Sequence, residues 1–330
     1  MTSHSYYLGI DLGATTVKAG VVSALKSQIL NLKSQKATVT AETADQKGTV
    51  VLQRIIDCAR QAVVQAGLAL SDITAMGIAS PGPIDIKAGI ICDSPNIQGW
   101  RDIPLAKLLS EALGPPAILE NDANAAALGE YHLGAGQSVA VMAMFTLGSG
   151  IGGGVVIDGE ILHGAHGFAA ELGHIILVPA GRKCGCGQRG CAEAYASANS
   201  TAARAVEALR QGRESSLSQL FRAGRQLTAK DVVDHARQGD ALAAEILDGT
   251  AYYLALLSLN VRAVVDPQLI VLGGGLAQAG DILLSAVRKH FKEQGWHLQG
   301  ADRCRMELAV LGNQAGMIGA ALAAAKALGR

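Results

Sequence analysis

The chain has 330 residues, larger than a single hydrophobic core usually grows, so two domains are expected. Apolar residues make up 49% and aromatics only 4%, a balance that suits helices packed on largely buried strands. Lys plus Arg equals Asp plus Glu at 28 each and no basic run stands out, which argues against a nucleic-acid or anionic-membrane partner and favours a small molecule.

The chain opens with a short polar tail, Thr2 to Ser5, and passes directly into "YYLGIDLG". That start lacks the basic region and long apolar core of a signal peptide, and a cytoplasmic protein is expected. Residues 6 to 22 hold two β-rich runs joined by Gly-Ala-Thr-Thr, an opening hairpin. "TVVLQRIIDCARQAVVQAG" follows with apolar residues at helical spacing and stops at Gly67. "ITAMGIAS" is a strand running into the turn "PGPID", and "PAILE" is a strand feeding the helix "NDANAAALGEYHLGAG". At 139 to 157 a second glycine-rich strand-turn-strand unit echoes the first, which suggests two similarly built domains. Beyond residue 195 the pattern is mostly helical, with one strand, "QLIVLGGG", among the helices. The apolar run "AYYLALLSLNVRAVVD" is interrupted by Ser258, Asn260 and Arg262 before it reaches membrane-spanning length. The final helix is expected to pack back on the first domain, giving domains of 1–120 plus 314–330 and 121–313.

Gly148-Ser149-Gly150 opens a match to the dinucleotide fingerprint G-x-G-x-x-G, but that motif needs a helix to begin within the glycines. Here the strand-like "GVVIDGEIL" follows, so the glycines read as a hairpin whose bare backbone amides let a phosphate approach, or as a tight turn without a ligand. Asp11 ends a strand beside Gly13, Thr15 and Thr16. That setting suits Mg²⁺ near a polyphosphate, and equally an ordinary turn cap. Gly273, Gly274 and Gly275 form a strand-to-helix loop that could meet a nucleoside or serve packing alone. Asn121 and Asp122 stand where Asx residues cap helices. The other reading has Asp122 accept the proton of an attacking hydroxyl while Asn121 holds a neighbouring one.

Three of the six cysteines, Cys58, Cys92 and Cys304, stand alone and read as small core residues. The other three lie in "ELGHIILVPAGRKCGCGQRGCAEAYAS", where His174, Cys184, Cys186 and Cys191 offer one nitrogen and three thiolates, the ligand set of a closed structural Zn²⁺ site. A disulfide or free thiols are the competing reading. A metal there would shape the loop and leave Glu171 and Glu193 on either side of it as acceptors for a polyhydroxylated ligand.

Taken together, "GIDLGATTVKAGVV", "ASPGPID", "ENDANAAALGE", "LGSGIGGGVVIDGEILHGAHGFAAELGH" and "CGCGQRGCAEAYAS" resemble, in order and over nearly the whole chain, the ROK family of bacterial sugar kinases, and its glucokinase branch most closely. The resemblance implies an α/β protein of the actin-like ATPase (ribonuclease H-like) fold, two domains around a central cleft. It implies ATP-dependent phosphorylation of a hexose, with glucose first and N-acetylmannosamine, N-acetylglucosamine, allose or fructose as alternatives. Asp122 would be the catalytic base, while Asn121, Glu171, His174 and Glu193 would bind sugar hydroxyls with Gly82 against the ring. Asp11, Gly13, Thr15, Thr16, Gly148, Ser149 and Gly150 would face the ATP phosphates and Mg²⁺, Gly273 to Gly275 would lie near the nucleoside, and zinc would sit on His174, Cys184, Cys186 and Cys191. A homodimer is also implied. Departures from the family pattern are Ala14 where Gly is frequent, Ser149 where Thr is usual, and Ala192 where Leu is common, the last of which touches substrate choice. Family repressors carry a DNA-binding helix-turn-helix before the sugar domain; with the first strand beginning near residue 6, no such element is expected.

Overall fold

Leu8, Ile10 and Leu12 are fully buried along the first strand, β1 (His4–Leu12), which pairs antiparallel with β2 (Thr16–Leu25) as the opening hairpin predicts. The computed structural model describes residues 4–13, 15–25, 35–42, 47–94, 97–295 and 303–328; Ala14 and the tail residues Thr2 and Ser3 lie outside them. Two compact units are formed: Met1–Gln137 with Gly159–Ala169 and Asn313–Arg330, and Ser138–Asp158 with Ala170–Gly312.

In the first unit β2 also pairs with β3 (Gln35–Glu42), and β1 runs parallel to β4 (Ile73–Ser80), which runs parallel to β8 (Ala117–Asn121), giving the order β3-β2-β1-β4-β8. Three short strands, β5 (Ile84–Asp85), β6 (Ile90–Asp93) and β7 (Arg101–Ile103), form a separate antiparallel sheet. Helix α1 (Gly48–Gln65) buries Val51, Ile55, Ala59, Ala62 and Val63 at helical spacing. It stops where Gly67 turns to φ +70, and Leu68 N–H then donates to Val63 O at 3.1 Å, satisfying a carbonyl that a helix end would otherwise leave open. Helix α2 (Leu105–Leu113) adds Leu105 and Leu109 to the same core.

Helix α3 (Asp122–Leu133) belongs to this first unit, so the expected boundary after residue 120 falls inside a compact body. The cause is the last helix, α10 (Ala315–Leu328), which is buried from Ala315 to Ala325 and lies backbone to backbone against its neighbours. A Cβ on Gly319 would sit 1.6 Å from Ala125 O, and one on Gly77 would sit 1.8 Å from Ala320 O. Only glycine admits such an approach. An alanine-rich helix thereby welds α3 to the β1–β4 sheet.

The second unit repeats the plan. β9 (Val141–Leu147) pairs antiparallel with β10 (Ile151–Ile157), and β12 (Leu269–Gly273) runs parallel to both β9 and β13 (Arg305–Leu308). After β10 the chain turns at Asp158 and Gly159, both at positive φ, and β11 (Glu160–Ile161) that follows belongs to the first unit. Among the described residues of the second unit, six α-helices follow: α4 (Glu193–Ala196), α5 (Ala198–Arg210), α6 (Ser218–Arg222), α7 (Ala229–Arg237), α8 (Ala241–Val265) and α9 (Asp281–Gln294). Their apolar faces join Phe145, Leu147, Ile270 and Leu272 in one core. The apolar run read as too short to span a membrane is part of α8, which at 25 residues is long and apolar enough to do so by length and composition. Its buried face, Leu242, Ile246, Leu254, Leu257 and Val261 among others, packs within this core.

Of the isolated cysteines, Cys58 is buried and packed as expected, whereas Cys92 and Cys304 are only half-buried. Burial pushes the Cys58 thiol up to about 11, which keeps it inert.

Candidate active site

Parallel strands bring their carboxyl ends to one edge, and in open α/β sheets that edge is where ligands bind. In the first unit Asp11 pairs with Ala79, Ala79 with Glu120, and Ser80 with Asn121, so Asp11, the Ser80-to-Gly82 turn and Asn121-Asp122 share a sheet edge. Gly82 is exposed at φ +90. Gly13 N–H donates to Thr16 O at 2.8 Å to close the hairpin turn, with Thr15 exposed and Thr16 half-buried.

Burial pushes the Asp11 carboxyl above the usual carboxylate range, opposed by the charge of Lys18. Lys18 Nζ lies 3.8 Å from Asp11 Oδ2 and donates to Asn313 O at 3.2 Å. The sequence reading missed Lys18, although the hairpin's register, Leu12 opposite Val17 and Asp11 opposite Lys18, follows from the length of its turn.

The structure shows the capping reading of the Asn121-Asp122 pair. Asn121 is the N-cap of α3, its Oδ1 accepting from Ala123 N–H at 2.9 Å and Asn124 N–H at 3.0 Å. Asp122, the first helical residue, accepts from Ala123 N–H at 2.8 Å through Oδ1. Capping thus falls chiefly to Asn121. A second residue missed in the sequence is Glu120, 3% exposed, whose Oε1 accepts from Asn121 N–H at 2.9 Å and from Asn124 Nδ2 at 3.2 Å. Its place directly before Asn121 was the available signal.

In the second unit the same geometry recurs at the ends of β9 and β12. Gly148 N–H donates to Gly150 O at 3.0 Å to form a tight turn with Ser149 exposed at its tip, and no helix begins there. Gly273 pairs with Thr146, so the loop of Gly273, Gly274 and Gly275 lies beside that turn. Glu193, at the start of α4, accepts from Ile151 N–H at 2.9 Å through Oε2. Because that carboxylate occupies the space beside Gly150, a Cβ there would sit 2.2 Å from Glu193 Oε2. Glu171 stands exposed immediately before the turn Leu172–His174 that carries His174.

His174, Cys184, Cys186 and Cys191 converge, with one potential ligand atom from each all within 4.8 Å of one another. Tetrahedral zinc with Zn–S bonds of about 2.3 Å places its sulfurs about 3.8 Å apart. Cys186 Sγ and Cys191 Sγ are 3.7 Å apart, and Cys184 Sγ lies 3.7 Å from His174 Nδ1. A disulfide would need about 2.05 Å, so these are free thiols spaced to hold a metal ion. Backbone hydrogen bonds hold the loop: Gly187 N–H donates to Cys184 O, Gly190 N–H to Arg182 O, and Ala192 N–H to Ile175 O. Burial pushes the Cys184 and Cys191 thiols up, whereas a backbone hydrogen bond from Gln188 holds Cys186 below the usual thiol range. Cys184 Sγ is also 3.2 Å from Glu193 Oε1, so one carboxylate touches both the cysteine loop and the glycine turn.

The model of the ROK family matches residues 7–327. A glucokinase from Halalkalibacterium halodurans is 38% identical over 318 residues, 96% of this chain and 94% of that protein. Among solved structures, a ROK hexokinase from Thermus thermophilus superposes with a TM-score of 0.82 at 34% identity, covering 98% of both chains. A ROK family glucokinase from Streptomyces griseus, in complex with glucose and AMPPNP, gives 0.81 at 31% identity over 98% of this chain and all of that one.

Proposed function

The chain belongs to the ROK family, and from that premise we propose that it transfers the terminal phosphoryl group of ATP to the 6-hydroxyl of a hexose, glucose first. The observation that carries the reading is Asp122: a carboxylate on the first turn of α3, beside its capping Asn121, on the same strand edge as Asp11.

In this reading Asp122 accepts the proton of the attacking 6-hydroxyl as the oxygen closes on phosphorus. Phosphoryl transfer needs positioned oxygens and neutralised charge more than covalent help from the protein. Asn121 Oδ1 is engaged by the helix cap, so its Nδ2 is the group left to donate to a sugar hydroxyl. Glu171, His174 and Glu193 supply the remaining contacts, with Gly82 against the ring. The backbone at Gly13, Thr15 and Thr16 and at Gly148, Ser149 and Gly150 supports the phosphates; Gly273 to Gly275 meet the nucleoside. Asp11 would meet the Mg²⁺ of MgATP, an ion that neutralises phosphate charge when bound. Zinc fits the three thiols and imidazole, and with four protein ligands it would hold the cysteine loop in shape without activating water. Free thiols in such a cluster suit a reducing compartment, in keeping with a cytoplasmic enzyme.

The test is a coupled assay of the purified protein with MgATP across glucose, N-acetylmannosamine, N-acetylglucosamine, allose, fructose and mannose. Turnover highest on glucose is expected; absence of turnover on every hexose by the folded protein refutes the reading.

A further inference from the structure

His163 was given no role in the site described above, and its Nε2 is 2.8 Å from Glu120 Oε2. Glu120 is deeply buried, its side chain 4% exposed, whereas the His163 side chain is 39% exposed. Both residues belong to the first unit, 43 residues apart in sequence. They line a cavity of about 380 Å³ whose other walls are largely apolar, among them Ile118, Leu128, Ile161 and Ala323.

A carboxylate buried among such side chains is costly unless it is paired and its lone pairs are used. Glu120 meets both conditions. Oε2 faces His163, and Oε1 takes the Asn121 backbone N–H and the Asn124 side-chain amide. Those two bonds hold the backbone entering Asn121 and the first turn of α3 on either side of Asp122. We propose that His163 and Glu120 form a positioning pair that fixes the β8-to-α3 junction, and so the Asp122 carboxylate, for proton transfer. Neither residue need touch the substrate; the pair acts through the junction. This inference rests on the reading of Asp122 as the base.

The pair also makes the junction sensitive to pH. The charged groups facing the same cavity are Glu120 on β8, Glu160 on β11 and Lys326 on α10, and Lys326 Nζ lies 2.9 Å from Glu160 Oε1. The hydrogen bond to Glu120, and after it the charges of Glu120 and Glu160, raise the His163 pKa above the ordinary imidazole value against the opposing effect of burial. A histidine raised in the folded state contributes its full share below the unfolded pKa of about 6.5, and that share is lost as pH rises through the folded value. The ion pair therefore weakens on the alkaline side.

The experiment is the pH dependence of kcat and of glucose KM for the wild type, His163→Gln, His163→Arg and Asp122→Asn, with thermal unfolding of each to verify folding. For His163→Gln, kcat is expected to fall by about ten- to a hundredfold while glucose KM stays within about twofold, the mark of misplaced chemistry rather than lost binding. His163→Arg, permanently charged, is expected to recover most of kcat and to lack the wild type's alkaline decline. A His163→Gln enzyme with wild-type kcat and an unchanged profile overturns the pair; if that variant unfolds, a His163→Arg profile that keeps the alkaline decline does so. Loss of turnover in Asp122→Asn alongside a silent His163→Gln leaves the base assignment standing and removes only the pair. Full turnover in Asp122→Asn overturns the base assignment and the pair with it.

Discussion

Glu193 Oε2 accepts the Ile151 backbone N–H at 2.9 Å and fills the space where a side chain at Gly150 would go. The glycine turn is therefore shaped by a carboxylate that also touches Cys184 in the cysteine loop. Gly150→Ala must displace either the turn or Glu193, since the added carbon would sit 2.2 Å from Oε2. We expect kcat/KM for ATP to fall by about a hundredfold and stability to drop. If the clash is the cause, removing the carboxylate relieves it. Urea unfolding of Gly150→Ala, Glu193→Ala and the double variant is expected to give a coupling of about 1 to 3 kcal/mol, and additive effects would refute the contact as the cause.

The cysteine loop carries a second expectation. The purified protein should contain about one zinc per chain, measured by elemental analysis, because four converging protein ligands make a closed structural site. Cys184→Ser should lower zinc content and melting temperature and raise glucose KM together, since loop geometry, metal and the neighbouring Glu193 are coupled. A fully active protein without zinc would show that the thiols are not a metal site.

Much of the fold is legible in the sequence, and the reasons lie in particular residues. The hairpin around Gly13, the stop of α1 at Gly67 and the strand after Gly148 follow from local chemistry: glycine turns, apolar periodicity and helix caps. The cysteine cluster could be read because its ligands are close in sequence. What escaped was short or non-local. Strands β3, β5, β6, β7 and β13 are edge or isolated pieces of eight residues or fewer that carry little pattern. Membership of α3 in the first unit depends on α10, nearly two hundred residues later, and on glycines whose need shows only when two backbones meet. Glu120 and His163 escaped for the same reason: a glutamate on a strand reads as solvated until its partner is placed.

The proposal that Asp122 is the base while Asn121 caps the helix gives a sharp mutational expectation. Asparagine at 122 keeps an oxygen for the Ala123 N–H and leaves the Asn121 cap intact, so the helix start should survive. It cannot accept the hydroxyl proton. In Asp122→Asn, kcat is expected to fall by about 10² to 10⁴, the usual worth of a general base, with glucose affinity by calorimetry changed only a few-fold. Equal losses in binding and rate would point to a folding role instead.

Acid sensitivity should have a defined contributor in Asp240, the N-cap of α8. Burial alone would raise its carboxyl, but hydrogen bonds from Ala243 N–H and from Ser216 and Ser215 outweigh it and hold the pKa at about 2. For a carboxylate depressed in the folded state, the stabilisation is complete above the unfolded pKa of about 3.9 and is lost as pH falls through the folded value. Asp240→Asn can still cap the helix, so comparison with the wild type isolates the charge. With partial solvent screening, the difference in urea unfolding free energy is expected to be about 1 to 2 kcal/mol and level from pH 7 to pH 5. It should then narrow as the pH drops below about 4, and a difference that stays constant down to pH 3 would assign it to geometry in place of ionisation.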